Sequence, residues 1–403
     1  GAGAVQGSGG AGSQSQKATD SGDTTGLKPQ SELDDGSTLL ALDEYYPRVS
    51  LMALTKLLRS SHHEVKYAVQ AIGHICGQFE PEQLNVYLEH VLYGYIDAIR
   101  RTDLPDTWID MLFGNLAELI GLSQGSVKEH MGVIIDVLSE HWGYNKHLEN
   151  CLNVIEALES VLSAADSSSE FQLHAPQILA LLLKTMRQDR SSDRESTVKV
   201  LKTLDRLTDS LTSQHRLLLP VLLQVLEQHA QMAGSMSGGA SGLGLSDPRG
   251  GVGNNGFQAA RKALSVLNNI VDSTPDLRDL ASCIILPLLR AVAMIANSPC
   301  VGGGAAVDRL LVSQGFGGQL GAFSQYDTKI MSGALDILVI IIERLGTDYF
   351  PYVTVAATHL EGLNSMNLTF LEGKLDEIYK RYQALVSEVR RARISGRPFN
   401  ANT

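Results

Sequence analysis

From Lys199 to Glu227 the chain reads K-V-L-K-T-L-D-R-L-T-D-S-L-T-S-Q-H-R-L-L-L-P-V-L-L-Q-V-L-E. Leu201, Leu204, Thr208 and Leu211 recur at steps of three and four, which places them on one helical face, while Lys202, Asp205, Arg206 and Asp209 point to water. Thr212, Ser213 and Gln214 form a polar turn. A second apolar run opens at Leu217 with Pro220 in its first turn, where a missing N–H costs little. The pattern predicts an antiparallel helix pair that cannot cover its own apolar side and therefore needs pairs of the same kind stacked on it.

Proline serves as a ruler for finding those neighbours. An apolar-Pro-apolar helix start recurs at Pro47, Pro176, Pro220, Pro287 and Pro351. From Pro47 to Pro176 is 129 residues, three steps of 43, and from Pro176 to Pro220 is 44. That is the period of HEAT-type two-helix repeats, about 40 to 47 residues. The skipped registers fall at Leu84–Leu88 and His130–Ile134, each of which opens a helix without proline. The later gaps, 67 and 64 residues, exceed one period, and each contains a glycine-rich insert.

The expected fold class is all-α, an α-solenoid of about seven HEAT-type helix pairs. Its pairs run from Pro47 to Phe79, Pro81 to Ile120, Val127 to Leu162, Ala175 to Leu211, Leu217 to Val271, Leu277 to Arg344 and Tyr349 to Arg391. Residues 1–38 read as a low-complexity, disordered segment and 395–403 as a flexible tail. The solenoid occupies 39–394, with Gly-rich inserts at 234–256 and 298–328.

Composition narrows this further. Aromatic residues make up 6% of the chain and leucine is prominent, which suits helices packed on helices better than a sheet. The longest aliphatic run, Ile337–Ile342, is too short for a bilayer, which needs about 20 residues. No secretory or transit segment opens the chain, so the reading is cytoplasmic, without membrane insertion. The first residue is Gly rather than Met, as expected of a piece of a longer protein. Cys76, Cys151, Cys283 and Cys300 stand far apart, as reduced cysteines do, with no metal-ligand spacing. The net charge of −11 argues against a nucleic-acid partner. The one basic cluster, Arg390, Arg391, Arg393 and Arg397, suits the end of a helix.

Candidate chemistry is sparse. Gly121-Leu122-Ser123-Gln124-Gly125 matches G-x-S-x-G, but a nucleophile elbow needs a strand before its helix, and here the segment joins two helices. The glycine inserts carry no phosphate-loop spacing. His62-His63 and His141 lack a partner ligand four residues along one face. Asn367-Leu368-Thr369 fits a glycosylation sequon but reads as a helix start. No catalytic, cofactor-binding or metal-binding residue is assigned, and no cofactor is expected.

A family resemblance runs through the same residues. Asp43-Glu44-Tyr45-Tyr46-Pro47-Arg48-Val49 resembles the E-Y-Y-P-x-V repeat start of the target-of-rapamycin (TOR) kinases. In order after it, His141-Trp142-Gly143-Tyr144-Asn145 resembles their F-W-x-x-N helix end. Ala175-Pro176-Gln177-Ile178 with Asp189-Arg190-Ser191 resembles L-P-Q-L and H-D-N-S, and Leu217–Pro220 resembles L-L-L-P. Arg261–Leu264 with Ala281–Pro287 resembles R-K-A-A-L and A-S-R-I-I-H-P, and Phe350–Val353 falls where the family has I-P-M-V. The chain departs from the family in its two Gly-rich inserts and in lacking R-H-R-I-N-H-Q-R-Y after the last repeat, as a divergent protist or algal member would.

The resemblance implies a non-catalytic scaffold segment ahead of an ATP-dependent serine/threonine kinase domain that this sequence does not contain. It implies a raptor-like or rictor-like companion subunit, self-association into dimers, and a place in growth and nutrient signalling in the cytoplasm and at endomembrane surfaces. The alternative is a free-standing HEAT adaptor, such as an importin-β-like transport receptor or a phosphatase scaffold.

Overall fold

The computed structural model describes residues 35–60, 62–142, 146–165, 168–191, 194–235, 252–297, 317–365 and 371–394. Their regular structure is helical throughout, with no strand among the described residues. The helices are α1 (Asp35–Leu57), α2 (His62–Cys76), α3 (Pro81–Ile99), α4 (Asp106–Leu122), α5 (Met131–His141), α6 (Leu148–Ala164), α7 (Ser168–Gln188) and α8 (Glu195–Leu207). They continue with α9 (His215–Ser235), α10 (Val252–Ser273), α11 (Arg278–Ala296), α12 (Gly317–Leu345), α13 (Phe350–Ser365) and α14 (Glu372–Ile394). Short 3₁₀ turns precede α5, α9 and α13. The described residues fall into two units divided after Pro47, and the packing described below belongs to the one that begins at Arg48.

Two rows of helices make up that second unit. Even-numbered helices pack in order, α2 on α4 and onward to α14, and odd-numbered ones from α3 to α13 do the same. Cross-row contacts join α3 to α4, α7 to α8, α9 to α10, α11 to α12 and α13 to α14. Adjacent pairs packed in this way constitute a helical repeat, in which each unit covers its neighbour's apolar side.

The repeat register is legible in the buried side chains. In the odd row, Leu84, Leu88, Val91 and Leu92 of α3 are matched by Val127, Met131, Ile134 and Ile135 at α5. Phe171, Ala175, Ile178 and Leu179 take these places in α7, and His215, Leu219, Leu222 and Leu223 in α9. The register therefore advances 43, then 44, then 44 residues. It resumes at Leu277, Ala281, Ile284 and Ile285 of α11. In the even row, Val65, Ala68, Val69 and Ile72 of α2 correspond to Ile109, Leu112, Phe113 and Leu116 of α4 and to Thr197, Val200, Leu201 and Leu204 of α8.

This register corrects the proline ruler. Pro47, Pro176, Pro220 and Pro287 lie inside their helices, and of the five only Pro351 stands in a first turn. Pro176 and Pro220 are equivalent in packing, five places after Phe171 and His215, whereas Pro287 falls ten places after Leu277. A proline deprives a helix of one N–H and crowds the preceding turn, but tertiary packing overrides that preference at Pro220, whose neighbours Leu219 and Val221 are both buried. Pro81 does mark a start: it occupies the first turn of α3, where the Glu80 N–H donates to the Gln83 side chain at 3.3 Å.

The helices also extend further into the biased segments than composition implies. Helix α1 begins at Asp35, α9 ends at Ser235, α10 begins at Val252 and α12 at Gly317. Residues 1–34, 236–251, 298–316, 366–370 and 395–403 lie outside the described residues, and with them Cys300, Arg397 and the Asn367 sequon. Helix α11, 19 residues long, has the length and apolar composition to cross a membrane. Its Ile284, Leu288 and Val292 are instead buried where it packs on α9, α12 and α13, as in the core helix of a stack.

Candidate interaction surface

The polar side chains of the even row form a ladder between successive helices. On α4, Asp110 accepts from Asn150 of α6 at 2.9 Å and pairs with Nδ1 of His147, the residue just before that helix, at 2.8 Å. On α6, Glu156 accepts from Thr203 of α8 at 2.7 Å and pairs with Arg206. Asp205 of α8 accepts from Ser265 (2.9 Å), Asn269 (2.8 Å) and Lys262 (3.3 Å) of α10. Arg344 of α12 donates to the carbonyls of Val271 and Thr274 at the end of α10. Asp336 and Glu343 of α12 then pair with Lys374 and Arg381 of α14. At each of these steps the earlier helix supplies the acceptor and the later one the donor.

The odd row mostly runs the other way. Arg59, just after α1, donates to Asp97 of α3 at 2.5 Å, and Arg100, just after α3, forks onto Glu140 of α5 at 2.8 and 2.9 Å. The Trp142 indole N–H, following α5, donates to Thr185 of α7 at 2.8 Å, and Arg194 reaches Gln228 of α9 at 2.8 Å. Arg101, which donates back to the carbonyls of Leu58 and Ser60, is the exception. These bonds fix register along the stack, and they engage most of the polar groups between helices.

Two open grooves lie between even-row helices. One, of about 570 Å³, is bordered by Asp110, His147, Asn150, Glu195 and Lys199, and the other, of about 500 Å³, by Arg261, Lys262, Asn268 and Asp336. In the first, Asp110 is bonded to His147 and Asn150 and Lys199 to Glu195; in the second, Lys262, Asn268 and Asp336 are bonded to Asp205, Asp272 and Lys374. Among the described residues no group of three or more His, Cys, Asp or Glu is placed to hold a metal ion.

The outward face of the odd row differs. Two residues after each register start stand Val86 (76% exposed), Glu129, Leu173 (71%) and Leu217 (56%), on α3, the turn before α5, α7 and α9. Tyr93, two turns along the same face from Val86, is 38% exposed and meets the His130 ring edge-on at 5.8 Å. Glu82, Glu89, Glu129 and Asp136 around them are exposed and form no ion pair with a described residue. Sequence reasoning missed this face because exposure depends on which helices flank each one, and that is set by packing.

The motif residues singled out in the sequence are placed as follows. Ser123 is buried at the end of α4 and its hydroxyl donates to the Ile120 carbonyl at 2.7 Å. No strand precedes it, and the next two residues, Gln124 and Gly125, take the left-handed backbone that ends a helix. Burial pushes the Cys76 thiol up to about 11 and, with the Asp110 carboxylate nearby, Cys151 up to about 12, so both remain protonated. His141 is held below its ordinary value by burial first and by His147 second. Arg390 and Arg391 are exposed on the last turns of α14.

Adjacent helix pairs stacked in two rows, with an exposed outer face on the odd row, are consistent with a helical-repeat protein. No family model matches the sequence. It is similar to the serine/threonine-protein kinase mTor of Drosophila melanogaster, 30% identical over 190 residues, or 45% of this chain and 7% of that protein. It is 28% identical over 184 residues to serine/threonine-protein kinase TOR2 of Saccharomyces cerevisiae, again 45% of this chain and 7% of the relative. Against serine/threonine-protein kinase tor1 of Schizosaccharomyces pombe the figure is 24% over 181 residues. The chain thus spans about 7% of the length of the curated relatives it matches first, and it is a helical segment resembling part of the TOR kinases.

Proposed function

We propose that this chain is a scaffold segment of a TOR-like serine/threonine protein kinase, built of HEAT-type repeats and taking no part in the phosphoryl transfer itself. The observation that supports it best is the similarity to TOR kinases from fly and two yeasts over about 45% of the chain. The helical repeat agrees with that reading, since stacked pairs leave long ridges for partners. On this account the protein is intracellular and cytoplasmic, binds a raptor-like or rictor-like companion subunit, supports dimer assembly, and contributes to growth and nutrient signalling.

The test is affinity capture from the native cell with the 403-residue chain as bait, followed by identification of bound proteins. Recovery of a TOR-type companion subunit is expected. Recovery of nuclear-transport cargo or phosphatase subunits in its place would contradict the proposal and favour a free-standing adaptor.

A further inference from the structure

We infer that the outward face of the odd row, from α3 to α9, is a docking track for one amphipathic helix of a partner protein, apolar at its two ends and basic at its middle. The inference rests on the scaffold reading and adds to it a site and a ligand chemistry.

The track is a line of equivalent positions, Val86, Glu129, Leu173 and Leu217, one on each successive odd-row element. Packed helices lie about 8–10 Å apart, so these positions recur at that spacing. A helix laid across the row advances about 10.5 Å in seven residues, close to one row step per heptad. Such an occupant offers one side chain per row helix: apolar against Val86, basic against Glu129, and apolar against Leu173 and Leu217.

The charge around the track selects the sign of the occupant. Glu82 and Glu89 flank Val86 on α3, Asp136 lies two turns beyond Glu129, and none of these carboxylates pairs with a described residue. At the Val86 and Glu129 end of the track these carboxylates outnumber the exposed cation beside them, Lys128, and so favour Lys or Arg on the partner's flanks over an acidic helix. Farther along, the uncharged Pro176 and Pro220 stand exposed beyond Leu173 and Leu217, Glu170 is exposed one turn before Leu173, and Arg216 is the exposed cation beside Leu217. On α6, α8 and α12 of the even row, by contrast, Glu156, Asp205 and Glu343 are already bonded to the next helix.

The probe is a synthetic 28-residue helix, about four heptads long, with Leu at the first, third and fourth track positions, Lys at the second, and Lys on the flanks. Binding to the full chain is followed by fluorescence anisotropy, against a scrambled peptide and one with Glu in place of every Lys. We expect the probe to bind and the acidic version not to bind. E129K, and separately L173S with L217S, should each weaken binding at least about tenfold, and raising the salt should weaken it too. Equal binding by the scrambled peptide, or unchanged affinity in both variants, overturns the inference. These substitutions are at exposed positions, so the fold survives them. Amide-exchange protection by the probe should fall on α3, α7 and α9, and protection confined to the even row also overturns it. If affinity capture still recovers a TOR-type companion while this track fails, the scaffold reading stands and only the site is wrong.

Discussion

Asp189 shows how much one side chain fixes. It is buried just after α7 and accepts from the Ser191 N–H (3.2 Å), the Ser191 hydroxyl (2.5 Å), the Thr197 N–H (2.9 Å) and the Thr197 hydroxyl (2.7 Å). One carboxylate thereby closes the turn and satisfies the Thr197 N–H in the first turn of α8. We expect D189A to lower stability by about 2 kcal/mol and D189N by less, read from urea midpoints. His215 is buried where α8, α9 and α10 meet, with Nε2 2.9 Å from the Thr208 carbonyl and Nδ1 3.0 Å from the Thr274 hydroxyl. The neutral ring must donate from Nε2, and burial holds its pKa below the ordinary 6.5 while the Thr208 carbonyl opposes that shift. The unfolded chain then binds a proton that the folded one resists. This contribution to stability is complete above about 6.5 and is lost as pH falls through the window between that value and the folded pKa. Comparing urea midpoints at about pH 7.5 and 5.5 should show a smaller loss on acidification in H215Q than in the parent chain. An equal loss in both would assign the effect elsewhere.

At the scale of elements, the proline inside α9 gives a test of its own. Pro220 is exposed and sits in the sixth place of that helix, so P220A restores an intrahelical bond without emptying any packed space. A gain of about 1–2 kcal/mol is expected, partly offset by the freer unfolded chain, and calorimetry should show the higher Tm. A fall in Tm would mean that Pro220 is held by contacts the helix needs. The pairs themselves were legible in the sequence: the break at Thr212 to Gln214 falls where a 3₁₀ turn joins α8 to α9, and Leu201, Leu204, Thr208 and Leu211 are all buried. Period and polarity carry that information locally. Pro220 misled as a start signal because a local preference of about 3 kcal/mol yields to buried flanks, here Leu219 and Val221. The alternating ladders of donors and acceptors, and the outward track, were not legible, since Asp205 meets Asn269 only once the stack has brought residues 64 apart together.

For the whole molecule, the defining property is that contacts run between neighbouring helices in two rows. Stability is then approximately a sum over pairs and their interfaces, strung along one continuous apolar core. A substitution such as L201A, at a fully buried position of α8, should lower amide-exchange protection most in α6, α8 and α10 and leave α3 and α13 near their parent values. The most direct measurement is amide hydrogen exchange on a fragment of residues 81–297, which begins and ends at helix boundaries. We expect its inner helices α5 to α9 to keep the protection they have in the full chain, with loss confined to the cut ends. Loss of protection throughout the fragment would show a single cooperative globule and contradict the repeat.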